Sequence, residues 1–244
     1  MRAFFVLEYD GTNYAGWQRQ KNGVSVQQIV EEALQTALSS PVKVTASGRT
    51  DAGVHALGQV AHLDYDGSIP PEKLCFALNA LLPEDISVKQ SGRAEDDFHA
   101  RYSAKKKTYT YTFIESNVRR PLAERYAARV YGALDDKAMH RAAQLFVGEH
   151  DFRAFCSTGS SVKTTTRTVY EASVERSGDK VTFTVTGNGF LYNMVRIMAG
   201  TLLAVGEGKK TEQEITAALL TGERKRAGKT LPAAGLTLKS VEYV

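Results

Sequence analysis

The order in which extended and helical patterns alternate along this chain leaves few folds open to it. Arg2–Tyr9 is an extended run of bulky residues, closed by turn chemistry at Asp10-Gly11-Thr12-Asn13. Ser25 with Gln28 is a capping-box start. Ile29, Val30, Ala33, Leu34, Ala37 and Leu38 then recur at helical spacing, and Pro41 lies just beyond. A short strand is expected over Val42–Ser47 and a longer one over about Val54–Tyr65. Leu74, Ala77, Leu78 and Leu81 share one face of a helix over Pro71–Leu82, which Pro83 stops, and Ile86–Gln90 is again strand-like. The first half therefore reads β-α-β-β-α-β.

The second half repeats that order. Tyr109, Tyr111 and Phe113 alternate along Lys107–Ile114, as on a strand. Asp135–Phe146 is helical, with Gly148 where a helix ends. Thr166–Glu175 and Lys180–Thr186 flank the turn Arg176-Ser177-Gly178-Asp179, giving a hairpin. Phe190–Val205 is a strongly apolar helix, Thr211 with Glu214 opens an extra one, and Leu236–Tyr243 closes as a strand. The expected class is α+β: two ferredoxin-like halves with antiparallel sheets, of the kind RNA-recognition modules use. Residues 1–104 are expected as an N-terminal domain and 105–244 as a C-terminal one that completes a cleft.

Charge separates the halves more sharply than the net value of +4 suggests. Residues 1–104 carry 9 Lys and Arg against 13 Asp and Glu, whereas residues 105–244 carry 22 against 14. A half with eight excess positive charges suits a polyanion partner, and it equally suits a solvated surface of uneven charge. No apolar run reaches the roughly 18 residues of a membrane span, and no signal-peptide pattern opens the chain. Cys75 and Cys156 form no metal-ligand spacing, and so few cysteines suit a reducing compartment, so a cytoplasmic location is expected. The sequence has no GxxxxGK[ST] and no GxGxxG, so no nucleotide cofactor is expected. His62 and His99 complete no ligand set, so no metal is expected either.

The stretch with most chemistry per residue is Gly48-Arg49-Thr50-Asp51-Ala52-Gly53-Val54-His55-Ala56. It joins two strands, and Gly53 can take a positive φ that aims its neighbours. In extended backbone, Arg49 and Asp51 project to one side and can pair, which would keep the carboxylate ionised as a nucleophile requires. The same residues also fit a plain Asx-type turn stapled by a local ion pair. His55 has no serine or cysteine nucleophile nearby to form a triad, so its expected place is an orienting hydrogen bond or plain burial. Lys105-Lys106-Lys107 leading into Tyr109 and Tyr111 fits a base-stacking sheet surface, though the residues alone favour core aromatics behind a solvated lysine run. Arg196, inside an apolar helix, requires a buried partner. Arg224-Lys225-Arg226 with Lys229 is a phosphate-contacting or merely soluble loop.

The nine-residue motif resembles the active-site motif of the TruA family of tRNA pseudouridine synthases. Tyr9-Asp10-Gly11-Thr12-Asn13-Tyr14-Ala15-Gly16-Trp17-Gln18-Arg19-Gln20 is similar to that family's N-terminal signature. Phe98-His99-Ala100-Arg101, Tyr109, Phe190-Leu191-Tyr192-Asn193-Met194-Val195-Arg196 and Gly235-Leu236 follow in the family's order. In Gly228-Lys229-Thr230-Leu231-Pro232-Ala233, Lys229 stands where the family usually has proline, and Leu231 where it often has alanine. The resemblance implies the pseudouridine synthase fold. It also implies isomerisation of uridine to pseudouridine at positions 38 to 40 of the tRNA anticodon arm by a homodimer, without metal or cofactor. It makes Asp51 the catalytic aspartate, Arg49 its partner and Tyr109 the residue stacked on the target base. Leu236 would line the uracil pocket, His55 would belong with the substrate-binding residues, and Arg196 would support the aspartate.

Two other classes compete on the residues. A non-catalytic RNA-binding protein explains the basic half and the tyrosines but gives Arg49 and Asp51 no task. A small-molecule enzyme on a ferredoxin-like fold has no need of the basic half.

Overall fold

A computed structural model describes residues 1–159 and 162–244. The chain packs as two units, Met1–Lys105 together with Leu238–Val244, and Lys106–Thr237. The last seven residues, grouped by sequence with the second half, thus pack with the first.

In the first unit β1 (Arg2–Tyr9) alternates strictly, with Ala3, Phe5, Leu7 and Tyr9 buried and the intervening residues half-covered. Helix α1 (Val26–Leu38) follows, then the two-residue β2 (Thr45–Ala46) and β3 (His55–Asp64). A 3₁₀ turn at Pro71–Lys73 runs into α2 (Leu74–Asn79), and β4 (Ile86–Arg93) completes the element order read from sequence. β1 is central and antiparallel to both β3, in register Arg2↔Asp64, and β4, in register Ala3↔Arg93. β2 pairs with β3 through Thr45↔His62 and Ala46↔Ala61.

In this first unit β2 and α2 are shorter than the sequence predicts. β2 was expected over Val42–Ser47, but the amide of Val44 donates to Glu31 Oε1 and its carbonyl accepts from Gln27 Nε2. Those backbone groups are therefore used by α1 and not by the sheet. The helix expected to reach Leu82 ends at Asn79, whose side chain bonds both backbone groups of Val88 on β4.

The second unit opens with β5 (Lys106–Glu115). Three short elements absent from the sequence reading follow it: α3 (Pro121–Glu124), β6 (Ala128–Val130) and, after α4 (Asp136–Gln144), β7 (Gly148–Asp151). β8 (Thr166–Ser177) and β9 (Lys180–Gly187) form the expected hairpin, and α5 (Met194–Gly206) and α6 (Glu212–Thr221) follow. The order β5-β9-β8-β7 is antiparallel throughout, while β6 runs parallel to β5. The last strand, β10 (Leu236–Glu242), begins in this unit; from Leu238 it belongs to the first, beside β3.

Helix α5 starts four residues later than its apolar run because Asn193 adopts φ 60°, a left-handed conformation that interrupts helical backbone. Its buried Ile197, Met198 and Leu202 join Tyr111, Phe113, Phe146, Phe152, Phe155 and Phe183 in an aromatic-rich core. Among the described residues no helix is long and apolar enough to cross a membrane.

Candidate active site

The loop that carries Asp51 is held by backbone on backbone. Thr50 O accepts from Trp17 N at 3.0 Å, Gly53 N donates to Tyr14 O at 3.3 Å, and Val54 N closes a turn onto Asp51 O at 3.1 Å. The segment Tyr14–Trp17 therefore runs alongside Thr50–Gly53. That approach needs glycine. A Cβ on Gly16, which has φ +90°, would stand 2.5 Å from Thr50 O, and one on Gly11 would stand 2.0 Å from Val54 O. Gly53 itself has φ +76°, the conformation expected of it.

Buried polar side chains fix the loop's two shoulders. On the entry side, Ser47 Oγ donates to Gln59 Oε1 at 2.6 Å, and Gln59 Nε2 donates to Gly48 O at 2.9 Å. Within the loop, the hydroxyls of Thr50 and Tyr9 hydrogen-bond at 2.8 Å. Burial pushes the Tyr9 phenol up to about 12, so it stays neutral at any physiological pH. On the exit side, His55 is buried, with Nδ1 3.0 Å from the Gly11 amide and 3.1 Å from Asp10 Oδ1. Asp10 also caps the 3₁₀ turn Gly11–Asn13 by accepting from Thr12 N. The ring thus makes an orienting hydrogen bond to the very turn whose Gly11 lies against Val54.

Arg49 is exposed, and its Nε donates to Gln18 Oε1 at 3.1 Å, a partner that the i, i+2 spacing did not foresee. Gln18 Nε2 in turn donates to Gln27 Oε1 at 2.8 Å. Gln27 and Glu31 sit on the buried face of α1, where sequence periodicity placed only apolar residues. They are joined by Gln27 Nε2 donating to Glu31 Oε1 at 2.9 Å, and Glu31 Oε2 meets Arg19 Nη1 at 3.2 Å. Sequence reasoning missed this network. Its signal was present in two polar residues four apart beside the apolar stripe, Gln27 and Glu31, on the helix that follows Gln18-Arg19.

In the second unit, Tyr109 and Tyr111 share a face of β5 as alternation requires, yet their exposure differs. Tyr111 is fully buried, and its hydroxyl donates to Pro232 O at 2.9 Å. Tyr109 is half-buried, its ring edge-on to Phe190 with centroids 5.2 Å apart. Arg196 sits in the first turn of α5, Nε donating to Leu231 O at 2.7 Å and Nη1 to Asn193 Oδ1 at 2.8 Å. Leu231 N returns a bond to Arg196 O. The loop before β10 is clasped to α5 by paired glycines: a Cβ on Gly200 would meet Lys229 O at 2.0 Å, and one on Gly228 would meet Gly200 backbone at 2.4 Å. A Cβ on Gly235 would meet the Tyr111 ring at 2.6 Å, and that close packing brings the buried Leu236 to the edge of β5. The segment with Lys229 and Leu231 is therefore an ordered clasp, and Arg224 Nη1 ties it further by donating to Gly228 O at 2.8 Å. Among the described residues no three His, Cys, Asp or Glu side chains cluster as metal ligands do.

Comparison with known proteins adds to this geometry. Residues 6–103 and 142–244 match the profile of a family described as tRNA pseudouridine synthase. A tRNA pseudouridine synthase A of Acetivibrio thermocellus is 48% identical over 238 residues, covering 98% of this chain and 98% of that protein. One from Syntrophotalea carbinolica is 48% identical, covering 98% of this chain and 94% of that protein. One from Exiguobacterium sp. is 46% identical over 242 residues, covering 99% and 98%. With similarity running along nearly the whole of each chain, and with the loop of Asp51 inside the matched span, this chain belongs to the tRNA pseudouridine synthase family.

Proposed function

We propose that the protein isomerises uridine to pseudouridine at positions 38, 39 and 40 of the tRNA anticodon stem-loop, with Asp51 as its catalytic carboxylate. The observation that carries this reading is the loop of Asp51. Two glycines and the buried side chains of Tyr9, Ser47, Thr50, His55 and Gln59 hold a carboxylate on a turn of fixed shape, in a chain 48% identical to a tRNA pseudouridine synthase A. Pre-organisation of that kind is what a reaction without a cofactor depends on.

The N1–C1′ bond of the uridine breaks, the uracil turns, and a C5–C1′ bond forms. The proton on C5 leaves to solvent, and N1, freed of the sugar, takes one up. An ionised aspartate serves the start of this sequence by attacking C6, by attacking C1′, or by removing the C2′ proton. We assign Arg49 to its side, His55 to orienting the loop, Tyr109 and Leu236 to the uracil, and Arg196 to support of the aspartate. A stacked tyrosine restrains a detached base without fixing its rotation. Extrusion of the uridine costs a few kcal/mol. Phosphate contacts from residues 105–244, with 22 basic against 14 acidic side chains, offset it. We place the enzyme in the cytoplasm as a homodimer.

The test is release of tritium from unmodified tRNA labelled at uracil C5. Release confined to transcripts with uridine at positions 38 to 40 supports the proposal. Tight tRNA binding with no release from any tRNA would make the protein an RNA binder instead.

A further inference from the structure

We propose that Gln18 is a positioning residue for Arg49, set in its orientation by a relay of amides that begins at the backbone around α1. The inference rests on the assignment of Arg49 to the site of Asp51.

A glutamine amide presents an oxygen that only accepts and a nitrogen that only donates, so one fixed neighbour decides which way it faces. Gln27 is fixed twice over. Its Oε1 accepts from the backbone amide of Arg19 at 3.0 Å, and its Nε2 donates to the carbonyl of Val44 at 3.1 Å. Its Nε2 also donates to Glu31 Oε1, which is itself anchored by the Val44 amide. With Oε1 of Gln27 facing Gln18, Gln18 must offer its nitrogen there, at 2.8 Å. Its oxygen is then the atom left to face Arg49, whose Nε donates to it at 3.1 Å. Gln27 is 5% exposed and Glu31 8%, so the far end of the relay is shielded from competing water, whereas Arg49 at the near end is exposed. A long arginine side chain on the surface would otherwise sample many rotamers. An acceptor of defined position removes much of that freedom before substrate arrives.

Three variants and one double variant test this by tritium release from C5-labelled tRNA. Gln18→Met keeps length and loses both polar atoms. It is expected to lower kcat about tenfold with KM within twofold of the wild type. Gln18→Glu restores an acceptor for Arg49 but sets an oxygen against Gln27 Oε1, so it is expected to recover activity in part, which mere filling of space would not do. In an Arg49→Met background, Gln18→Met is expected to cost less than a further twofold, because its effect passes through the missing guanidinium. Thermal midpoints of all variants within a few degrees of the wild type identify the loss as one of positioning. Losses that multiply in the double variant, a rise in KM at unchanged kcat, or failure of Gln18→Glu to recover activity would each overturn the inference. Full activity of Arg49→Met would also overturn it while leaving Asp51 in place. Activity in Asp51→Asn would overturn the catalytic assignment itself.

Discussion

Gly11 lies so close against Val54 that a single methyl group on it would stand 2.0 Å from the Val54 carbonyl oxygen. Gly16 makes the same approach to Thr50, so the two glycines bracket the loop from Thr50 to Val54. Alanine at either position must push that loop away. At Gly16 the positive φ adds about 1–3 kcal/mol of backbone strain. Gly16→Ala is expected to fold with a lowered thermal midpoint and to lose at least a hundredfold in kcat, while tRNA affinity falls less. Wild-type kcat in a folded Gly16→Ala protein would mean that the loop's position does not matter to the chemistry.

Asp51→Asn and Asp51→Ala are expected to abolish turnover and to leave tRNA binding within a few fold. The amide keeps the shape of the side chain and removes its charge and nucleophilicity. The check is product analysis on prolonged incubation of purified variants, and detectable pseudouridine from either one contradicts the assignment.

For Tyr109 the informative contrast is between two substitutions. Tyr109→Phe keeps a ring edge-on to Phe190 and is expected to bind tRNA within twofold of the wild type. Tyr109→Ala removes the stacking surface and is expected to lose about 1–3 kcal/mol of binding. Equal losses, measured by filter binding at fixed salt, would argue against stacking.

Stability in acid follows from Arg176. Its guanidinium donates to Glu115 Oε2 at 2.7 Å and to Asp136 Oδ1 at 2.6 Å, and these bonds hold both carboxyls below their ordinary values of 4.5 and 3.8. A depressed folded-state value stabilises above the ordinary pKa, and that contribution disappears as pH falls through the folded value. Arg176→Met is therefore expected to cost about 1–3 kcal/mol at pH 7 and progressively less below about pH 4. A residue of the loss remains at low pH because Arg176 also donates to Leu134 O. Urea unfolding of both proteins from pH 7 to 3 is the measurement, and a pH-independent difference contradicts this account.

Much of the fold was legible in the chain. The extended run of bulky residues over Arg2–Tyr9, the Ser25 cap with its helical stripe and the turn at Gly178 each translate local pattern into an element, and the structure has each of them. The position of the Asp51 loop between two strands was legible for the same reason: glycine and polar residues end strands wherever they occur. Other features depend on partners distant in sequence. β2 shrank to two residues because Gln27 and Glu31 take the backbone groups of Val44. Helix α5 starts late because Asn193 turns left-handed, its Nδ2 donating to Ser157 Oγ 36 positions away. Arg49 bonds Gln18, 31 positions away, and that glutamine is bonded in turn to Gln27. A sequence determines which residues can donate, accept or bend. Which donor meets which acceptor is decided only when the packed backbone of α1, β1 and β3 brings them within about 3 Å, the reach of a hydrogen bond.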